Sequence, residues 1–287
     1  MSHRAEIISR IASVPPLPSA STEVVRLVRD PESPSAKVAT AIEYDPSLTM
    51  NVLRVANSSS FGVPQTVGSV REAFSRLVPD NGFQSVLAAA VGKIAEGPMG
   101  GYDVSGEDLW DHLIGSAIAA TKLAQVLKVS TPEHLFTAAL THDIGKVVRG
   151  TFPEVNAKAI TSLALEQRIS FEQAEQKTLG IDHAEVGAFL TEHWSLPSSI
   201  VDAVRLHHQP ERAVQDPLIV NLVHVADVVC LMAGVGASVD ALSYRPSSQS
   251  MQRLGLQLSL LDQIVYDVLN ELLKVRTLFK FREGSPQ

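Results

Sequence analysis

Nine histidines give this 287-residue chain its greatest capacity for chemistry. Several of them stand beside carboxylates, at positions where helices are predicted to begin or end. The candidate ligands are Asp108, His112, His142, Asp143, His183, His207, His208 and Asp227. Imidazole and carboxylate groups without thiolates suit Fe, Mn, Ni, Zn or Mg at a site with open coordination positions. A carboxylate can also bridge two ions about 3.5–4 Å apart, and such a pair can activate water for attack on phosphorus.

Most of these residues also have a simpler structural explanation. Asp108 follows Ser105 by three residues, so it can be the acid of a capping box. His183 can be a surface residue in the first turn of a helix, and His207-His208 can favour the negative end of a helix dipole. Asp227 is different, because an unpaired carboxylate on an apolar helix is costly. Asp227 therefore argues most strongly for a ligand role.

The other candidate groups are expected to be structural. His134, His193 and His224 are interpreted as buried or exposed residues that bind no metal, although His224 shares a helical face with Asp227 and can support a ligand from behind. A single cysteine, Cys230, excludes an internal disulfide and a cysteine-rich zinc site, and it fits a reducing compartment. Because Cys230 lies on an apolar segment, we expect it in the core.

Composition narrows the possible partners. The formal net charge of -7 argues against broad binding to nucleic acid or anionic lipid, but it allows one local site for a small anion. The N-terminal segment lacks the apolar stretch of a signal peptide. The apolar segment 217–237 contains Asp227 near its middle, and inserting that residue in a bilayer would cost roughly 2.5–3.5 kcal/mol. We therefore expect a cytoplasmic protein without membrane contact, and this segment as a buried helix.

The elements that must position the candidate ligands are all predicted to be helices. No alternation of β-branched residues lasts long enough to build a sheet, so the fold class is all-α. Helices are predicted at about 19–30, 35–44, 46–56, 69–78, 82–95, 105–128, 131–145, 153–168, 198–208, 217–232 and 260–279. Two more helices are predicted to begin at Ser170 and at Asp182, and a loop is predicted at 238–250. A Gly/Pro cluster at 97–101 divides residues 1–100 from residues 101–287.

The C-terminal half resembles a known superfamily. The order of His112, the doublet His142-Asp143, Lys146 and the distal Asp227 is similar to that of the HD superfamily of metal-dependent phosphohydrolases. This resemblance implies a compact multi-helix HD-type bundle with a metal site at its centre.

Three further histidines extend the resemblance to binuclear members such as the HD-GYP phosphodiesterases. In such a site Asp143 would bridge two divalent ions, whose identity stays open among the five metals. The implied ligands are His112, His142 and Asp227 for one ion, and His183, His207 and His208 for the other. Asp143 and Lys146 are the implied catalytic residues, Lys146 as the phosphate contact. Asp108 matches an additional acidic position less closely.

The N-terminal half resembles the HDOD family. The matching segments are VPPLPS at 14–19, YDPSLTMNVLRVANSSSFG at 44–62 and SVREAF at 69–74. That family joins an N-terminal helical subdomain to an HD-like region, so the resemblance covers about residues 10–280 and implies one unit.

The resemblance leaves two main functions open. HDOD modules are bacterial signalling elements, so the first is a regulator with a structural or ligand-binding metal site, which contacts signalling proteins or a small phosphorylated ligand. The second is a phosphohydrolase acting on a nucleotide or cyclic dinucleotide. A metal-free interaction protein is a third alternative. Residues 209–216 read QPERAVQD instead of the Gly-Tyr-Pro segment of HD-GYP proteins, so hydrolysis of cyclic di-GMP does not carry over. The sequence also shows no recognisable receiver or cyclic-dinucleotide domain, which fits either a stand-alone regulator or a piece of a larger one.

Overall fold

A computed structural model describes residues 3–11, 34–57, 66–77, 106–149, 156–236 and 246–279, and in these ranges the chain forms helices and no strands. The all-α prediction is therefore confirmed. The helices are α1 (His3–Ile11), α2 (Ser35–Glu43), α3 (Pro46–Ala56), α4 (Val70–Leu77), α5 (Gly106–Val126), α6 (Leu135–Thr141), α7 (Ile144–Arg149), α8 (Ala157–Gln167), α9 (Phe171–Leu179), α10 (His183–His193), α11 (Ser198–Leu206), α12 (Pro217–Met232), α13 (Ser248–Leu254) and α14 (Ser259–Phe279), with a short 3-10 turn at Pro210–Arg212.

Side-chain caps fix where several helices begin. The Leu48 N–H donates over 2.9 Å to Oδ1 of Asp45, the residue before the proline that opens α3. The Glu185 N–H donates to Asp182 Oδ1 over 2.8 Å, which places His183 as the first residue of α10. Such caps satisfy backbone donors that have no partner within the helix. The positions predicted for these two helix starts are confirmed.

The centre of the bundle is α12, which packs against α5, α6, α11, α13 and α14. Its residues are buried continuously from Ile219 to Leu231, so it is covered on every side and is an interior helix. Around it, α5 contacts α6 and α14, and α10 contacts α7 and α11. Within the described residues, no helix is long and apolar enough to cross a membrane.

The N-terminal helices pack on this bundle. Helices α2, α3 and α4 contact one another, and α3 also contacts α5 and α6. Helix α1 packs on α10, where Arg4 forms an ion pair with Glu185. One hydrophobic core runs from Ile7 to Val275. The division into residues 1–100 and 101–287 stays a prediction, because the proposed boundary lies outside the described residues.

Helix α1 was not predicted, and α8 begins at Ala157 and not at about 153. Two further differences are larger. A single helix was expected over 131–145, but α6 begins at Leu135, whose N–H donates to the Pro132 carbonyl in a preceding turn. The helix then ends at Thr141, and α7 starts after the His142-Asp143 doublet. This break lets both doublet side chains reach one centre.

The second difference concerns the loop expected at 238–250. Helix α13 begins at Ser248, so the loop prediction is wrong at its end. The helices predicted at 19–30 and 82–95 lie outside the described residues.

Candidate metal centre

The bundle brings seven of the eight candidate ligands into two adjoining groups. One consists of His112, His142 and Asp227, and the other of Asp143, His183, His207 and His208. Within each group, one ligand atom per residue lies within 4.8 Å of all the others. Asp108 belongs to neither group.

Two of the histidines are positioned by the same local device at helix ends. His142 and His207 are the C-cap residues of α6 and α11. Each ring Nδ1 bonds, over 2.7 Å, to the carbonyl oxygen three residues earlier, of Ala139 and Val204 respectively. The device satisfies a helix-end carbonyl and fixes the ring at the same time.

Two other histidines are held by distant residues. His112 Nδ1 lies 3.2 Å from the carbonyl oxygen of Val235, just after α12, and His183 Nδ1 lies 2.6 Å from Glu175 Oε2. The carbonyls and the Glu175 carboxylate can only accept, so Nδ1 carries the proton in all four rings. Each Nε2 therefore presents a lone pair to the centre in the neutral ring, as a metal ligand must.

Asp143 belongs to the second group but lies between its histidines and those of the first, and one carboxylate oxygen faces each set. Its Oδ1 is 3.1 Å from His183 Nε2 and 3.6 Å from His207 Nε2. Its Oδ2 is 3.7 Å from His112 Nε2 and 3.6 Å from His142 Nε2. This is the arrangement of a carboxylate that can bridge two cations.

Asp227 completes the first group from the middle of α12. Its Oδ1 lies 3.0 Å from His112 Nε2 and 3.7 Å from His142 Nε2. Metal–ligand bonds of about 2.0–2.1 Å place neighbouring ligand atoms roughly 3.0–3.4 Å apart. The spacing of these atoms is therefore close to that of a coordination shell.

Buried polar atoms without a hydrogen-bond partner test whether these residues suit a metal ion. Five of the buried atoms without a hydrogen-bond partner in the described structure belong to this centre: Nε2 of His112, His142 and His207, Oδ1 of Asp143 and Oδ2 of Asp227. Leaving such atoms unsatisfied costs about 1–3 kcal/mol each. Because the imidazole lone pairs face carboxylate oxygens, the centre is rich in acceptors and poor in donors. Divalent cations would satisfy all five atoms, so these residues fit a metal site.

The electrostatics of the centre keep both carboxylates ionised. Burial opposes ionisation of Asp143, but the charges of Lys146, His142 and His183 hold its pKa well below the usual range. Burial likewise opposes ionisation of Asp227, but His112 and His142 lower its pKa strongly. The two negative charges are thus available to a cation.

The same environment raises the pKa of one histidine and lowers the pKa of two others. Burial would lower the pKa of His142, but Asp143 and Asp227 outweigh it and raise the pKa. At His207 and His208 burial dominates and lowers the pKa. The neutral imidazole, which is the form that binds metal, is therefore favoured at these two positions.

One side of the centre is open. The Lys146 ammonium lies 2.6 Å from Asp143 Oδ2, and 20% of its side chain is exposed. His208 is also partly exposed, and its Nε2 lies 2.9 Å from His183 Nε2. The other candidate ligands in the two groups are buried. A ligand from solvent therefore meets Lys146 and His208 first.

Sequence reasoning did not find Glu175, which is completely buried on α9. Its Oε2 accepts from both the backbone N–H and the Nδ1–H of His183. In the sequence Glu175 is one of two acidic residues on a polar helix, and only tertiary packing reveals its role. His224 lies behind one of the candidate ligands, since its Nδ1 donates to the backbone carbonyl of His207 over 2.7 Å.

A third group of possible ligands lies elsewhere, formed by Glu72, Glu133 and His134. Hydrogen bonds within the fold account for two of its members. Glu72 Oε2 accepts from the Gly68 N–H, and His134 Nδ1 lies 3.0 Å from Ser199 Oγ. The first bond joins the segment before α4 to α4 itself, and the second joins the starts of α6 and α11.

Comparisons with known proteins agree with this architecture. The HDOD domain family matches residues 14–210, which is more than half of the chain. An uncharacterized protein of Treponema pallidum (strain Nichols) is 28% identical over 223 residues, covering 75% of this chain, and the chain spans only 42% of that relative's length.

Several solved structures share the fold. An HDOD domain protein of unknown function from Geobacter sulfurreducens is 26% identical, with a TM-score of 0.53 and coverage of 96% of this chain and 97% of the other. The MmoQ response regulator from Methylococcus capsulatus str. Bath is 20% identical, with a TM-score of 0.63 and coverage of 86% and 97%. A protein of Shewanella amazonensis SB2B with the provisional name phosphohydrolase is 23% identical, with a TM-score of 0.53 and coverage of 96% and 97%. At under 25% identity, the last two show the fold alone.

Proposed function

This chain belongs to the HDOD family, and on that premise we propose that it is a signalling protein whose HD-type centre binds two divalent cations. The observation that carries the proposal is the position of Asp143, with Oδ1 facing His183 and His207 and Oδ2 facing His112 and His142. A carboxylate placed in this way suits a pair of ions better than a single one.

Each ion would have its own set of ligands. The first would take Nε2 of His112 and His142 with a carboxylate oxygen of Asp227, and the second would take the rings of His183, His207 and His208. Asp143 would bind both. Imidazole and carboxylate ligands are compatible with Fe, Mn, Ni, Zn or Mg.

A signalling function is favoured by the name of a protein that shares this fold. The MmoQ response regulator shares the fold, and this chain covers 97% of it. A signalling HDOD protein would contact protein partners or a small phosphorylated ligand. The metal centre would then stabilise a conformation or bind such a ligand, without having to turn it over.

A second function, hydrolysis of a phosphate ester, is favoured by the open side of the centre. When bound, divalent ions supply Lewis acidity for attack on phosphorus. The chain's own contribution would come from Lys146, whose ammonium lies where a phosphate oxygen can reach it. Lys146 would exchange its contact with Asp143 for one with the substrate, and Asp143 would keep the ions in place.

Metal analysis tests the main proposal. Protein purified without chelator should contain two divalent ions per chain, and His142→Ala and Asp143→Ala should lose metal. The matched control is His193→Ala, which changes a histidine at the end of α10 that belongs to neither ligand group. Metal-free protein, with no uptake on addition of any of the five metals, would refute both functions.

Activity assays then separate the two functions. Metal-loaded protein is incubated with nucleotides, cyclic dinucleotides and bis(p-nitrophenyl) phosphate. Turnover that disappears in Asp143→Ala and Lys146→Met establishes the hydrolase. Bound metal without turnover leaves the signalling function. Turnover that persists in Asp143→Ala contradicts the assignment of this centre to hydrolysis.

A further inference from the structure

A cavity of about 540 Å³ lies apart from the metal centre, where the N-terminal helices meet the bundle. Its wall is built from the end of α2, the starts of α3 and α4, one face each of α5 and α6, and Glu271 of α14. Pockets for small molecules have volumes of about 300–1,000 Å³ and often lie where two packed units meet. Size and position both suit a small ligand.

Much of the cavity wall is apolar. Ile118 from α5 and Phe136 and Leu140 from α6 line it, and Tyr44 packs edge-on against Phe136 with ring centroids 5.7 Å apart. This aromatic pair and its aliphatic neighbours can cover the apolar body of a ligand and remove its surface from water.

Two polar groups in the wall have unused hydrogen-bonding capacity. Lys122, partly buried on α5, makes no ion pair or hydrogen bond with any described residue. Thr137 is only 4% exposed, and its hydroxyl likewise has no partner in the described ranges. An ammonium and a hydroxyl from residues that line the same cavity are suited to bind a carboxylate or a similar small anion.

The remaining charges limit how negative the ligand can be. Glu43 and Glu271 line the cavity and are balanced, since Glu43 accepts from Arg71 Nε at 2.7 and 3.0 Å and Glu271 accepts from Lys274 Nζ at 3.1 Å. Glu133 adds one more carboxylate at an exposed position. The wall thus holds three carboxylates against two cations, Arg71 and Lys122, so it cannot compensate a polyphosphate, whereas one negative charge can be compensated by Lys122.

We propose that this cavity is a binding site for a small organic acid that carries one negative charge on an apolar body. Lys122 and Thr137 bind the acid group, and Tyr44, Phe136 and Leu140 cover the body. The cavity shares α5 and α6 with the metal centre, because α5 also carries His112 and α6 ends at His142. Binding of the acid at this cavity would thus act as a signal that the protein senses at a site separate from its metal centre.

Isothermal titration of the full chain with indole-3-acetate and with hexanoate tests the site. The protein is titrated first with its metal removed, so that neither acid can coordinate an ion, and then with metal bound. At least one acid should bind saturably in both states, and indole-3-ethanol, a neutral analogue, should bind about tenfold more weakly than indole-3-acetate. Failure of both acids to saturate at millimolar concentration refutes the proposal, as does tighter binding of ATP.

Three variants locate the site. Lys122→Met, which removes the charge and keeps the length, should raise Kd about tenfold or more, and Thr137→Val should raise it severalfold. Lys37→Met on the exposed side of α2 is the matched control and should leave Kd unchanged. Circular dichroism melting checks that each variant folds. If Lys122→Met does not fold, Thr137→Val decides, and binding that neither folded variant weakens contradicts the proposal.

Discussion

Glu175 Oε2 accepts two hydrogen bonds from His183, one from its backbone N–H at 2.8 Å and one from its ring Nδ1–H at 2.6 Å. Both residues are almost completely buried. The double contact fixes the first residue of α10 and its ring together, with Nε2 directed to Asp143. A carboxylate behind a metal-binding histidine also makes the ring a stronger ligand.

Replacing Glu175 should therefore weaken one metal position selectively. We expect Glu175→Gln to lower affinity for the ion beside His183 by about 10- to 100-fold and to leave the ion beside His142 bound. Elemental analysis after dialysis against a weak chelator should give a fall from two ions toward one. Glu166→Gln, an exposed change on α8, is the control. Two ions held with unchanged affinity would contradict the role assigned to Glu175.

Substitutions of Asp143 and of His183 should differ in the number of bound ions that are lost. Asp143→Asn should lose both ions, because each oxygen of this residue faces one group, whereas His183→Ala should lose one. Added metal should then raise the melting temperature of the unmutated protein, raise that of His183→Ala less, and leave that of Asp143→Asn unchanged. Calorimetry with and without metal measures this order, and equal loss in both variants would argue against a bridge.

A close approach of two helices predicts the effect of one added methyl group. A Cβ on Gly145 would lie 1.9 Å from the His183 carbonyl oxygen and 2.8 Å from the Gly187 nitrogen, both backbone atoms. Gly145→Ala must therefore separate α7 from α10, which should lower the free energy of unfolding by about 1–3 kcal/mol or more and weaken metal binding at His183. Urea unfolding and metal titration measure the two effects.

Gly115→Ala is the matched control for that variant. Its Cβ would meet only side-chain atoms, Val235 Cγ1 at 3.1 Å and Cys230 Sγ at 3.2 Å, which can shift slightly. A smaller loss of stability is expected at this position. Equal losses would show that the contact between α7 and α10 is not the cause.

The single cysteine should be inert in the folded protein. Burial raises the pKa of the Cys230 thiol to about 12. An unfolded thiol has a pKa near 8.5, so at pH 8 the folded chain holds far less of the reactive thiolate. We expect no reaction with Ellman's reagent at pH 8 in the native state, and one thiol per chain in guanidinium chloride. Rapid reaction of the native protein would place Cys230 outside the core.

The helices were predicted from local sequence patterns that have the same effect whatever packs around them. Proline after Asp45 and the Asp182–Glu185 pair mark helix starts whatever surrounds them, and the apolar run of α12 identified the interior helix. The loop expected over 238–250 failed at Ser248, because contacts from elsewhere help to hold α13. The Ser247 N–H donates to His224 Nε2 over 2.9 Å, and Arg253 donates to the Pro210 carbonyl. Such contacts are not visible in a polar segment read alone.

The candidate site, too, could be predicted only in part from the sequence. Histidine and aspartate at unusual places pointed to a shared centre, and the structure brings seven of them together. Their assignment as ligands stays a prediction until metal is measured. Glu175 and Gly145 were missed, because one is an ordinary acid on a polar helix and the other an ordinary helical glycine. Burial against α10 gives each its role, and burial depends on the whole fold.

His224 connects the periphery of the molecule to its centre through a single ring. Its Nδ1 donates to the His207 carbonyl and its Nε2 accepts from the Ser247 N–H, so the two bonds need opposite capacities of one neutral imidazole. A proton added to Nε2 would abolish its capacity to accept from Ser247. A displacement of the residues before α13 would strain the bond beside His207. The position of the backbone at Ser247 and the position of the backbone at His207 therefore constrain each other through this ring.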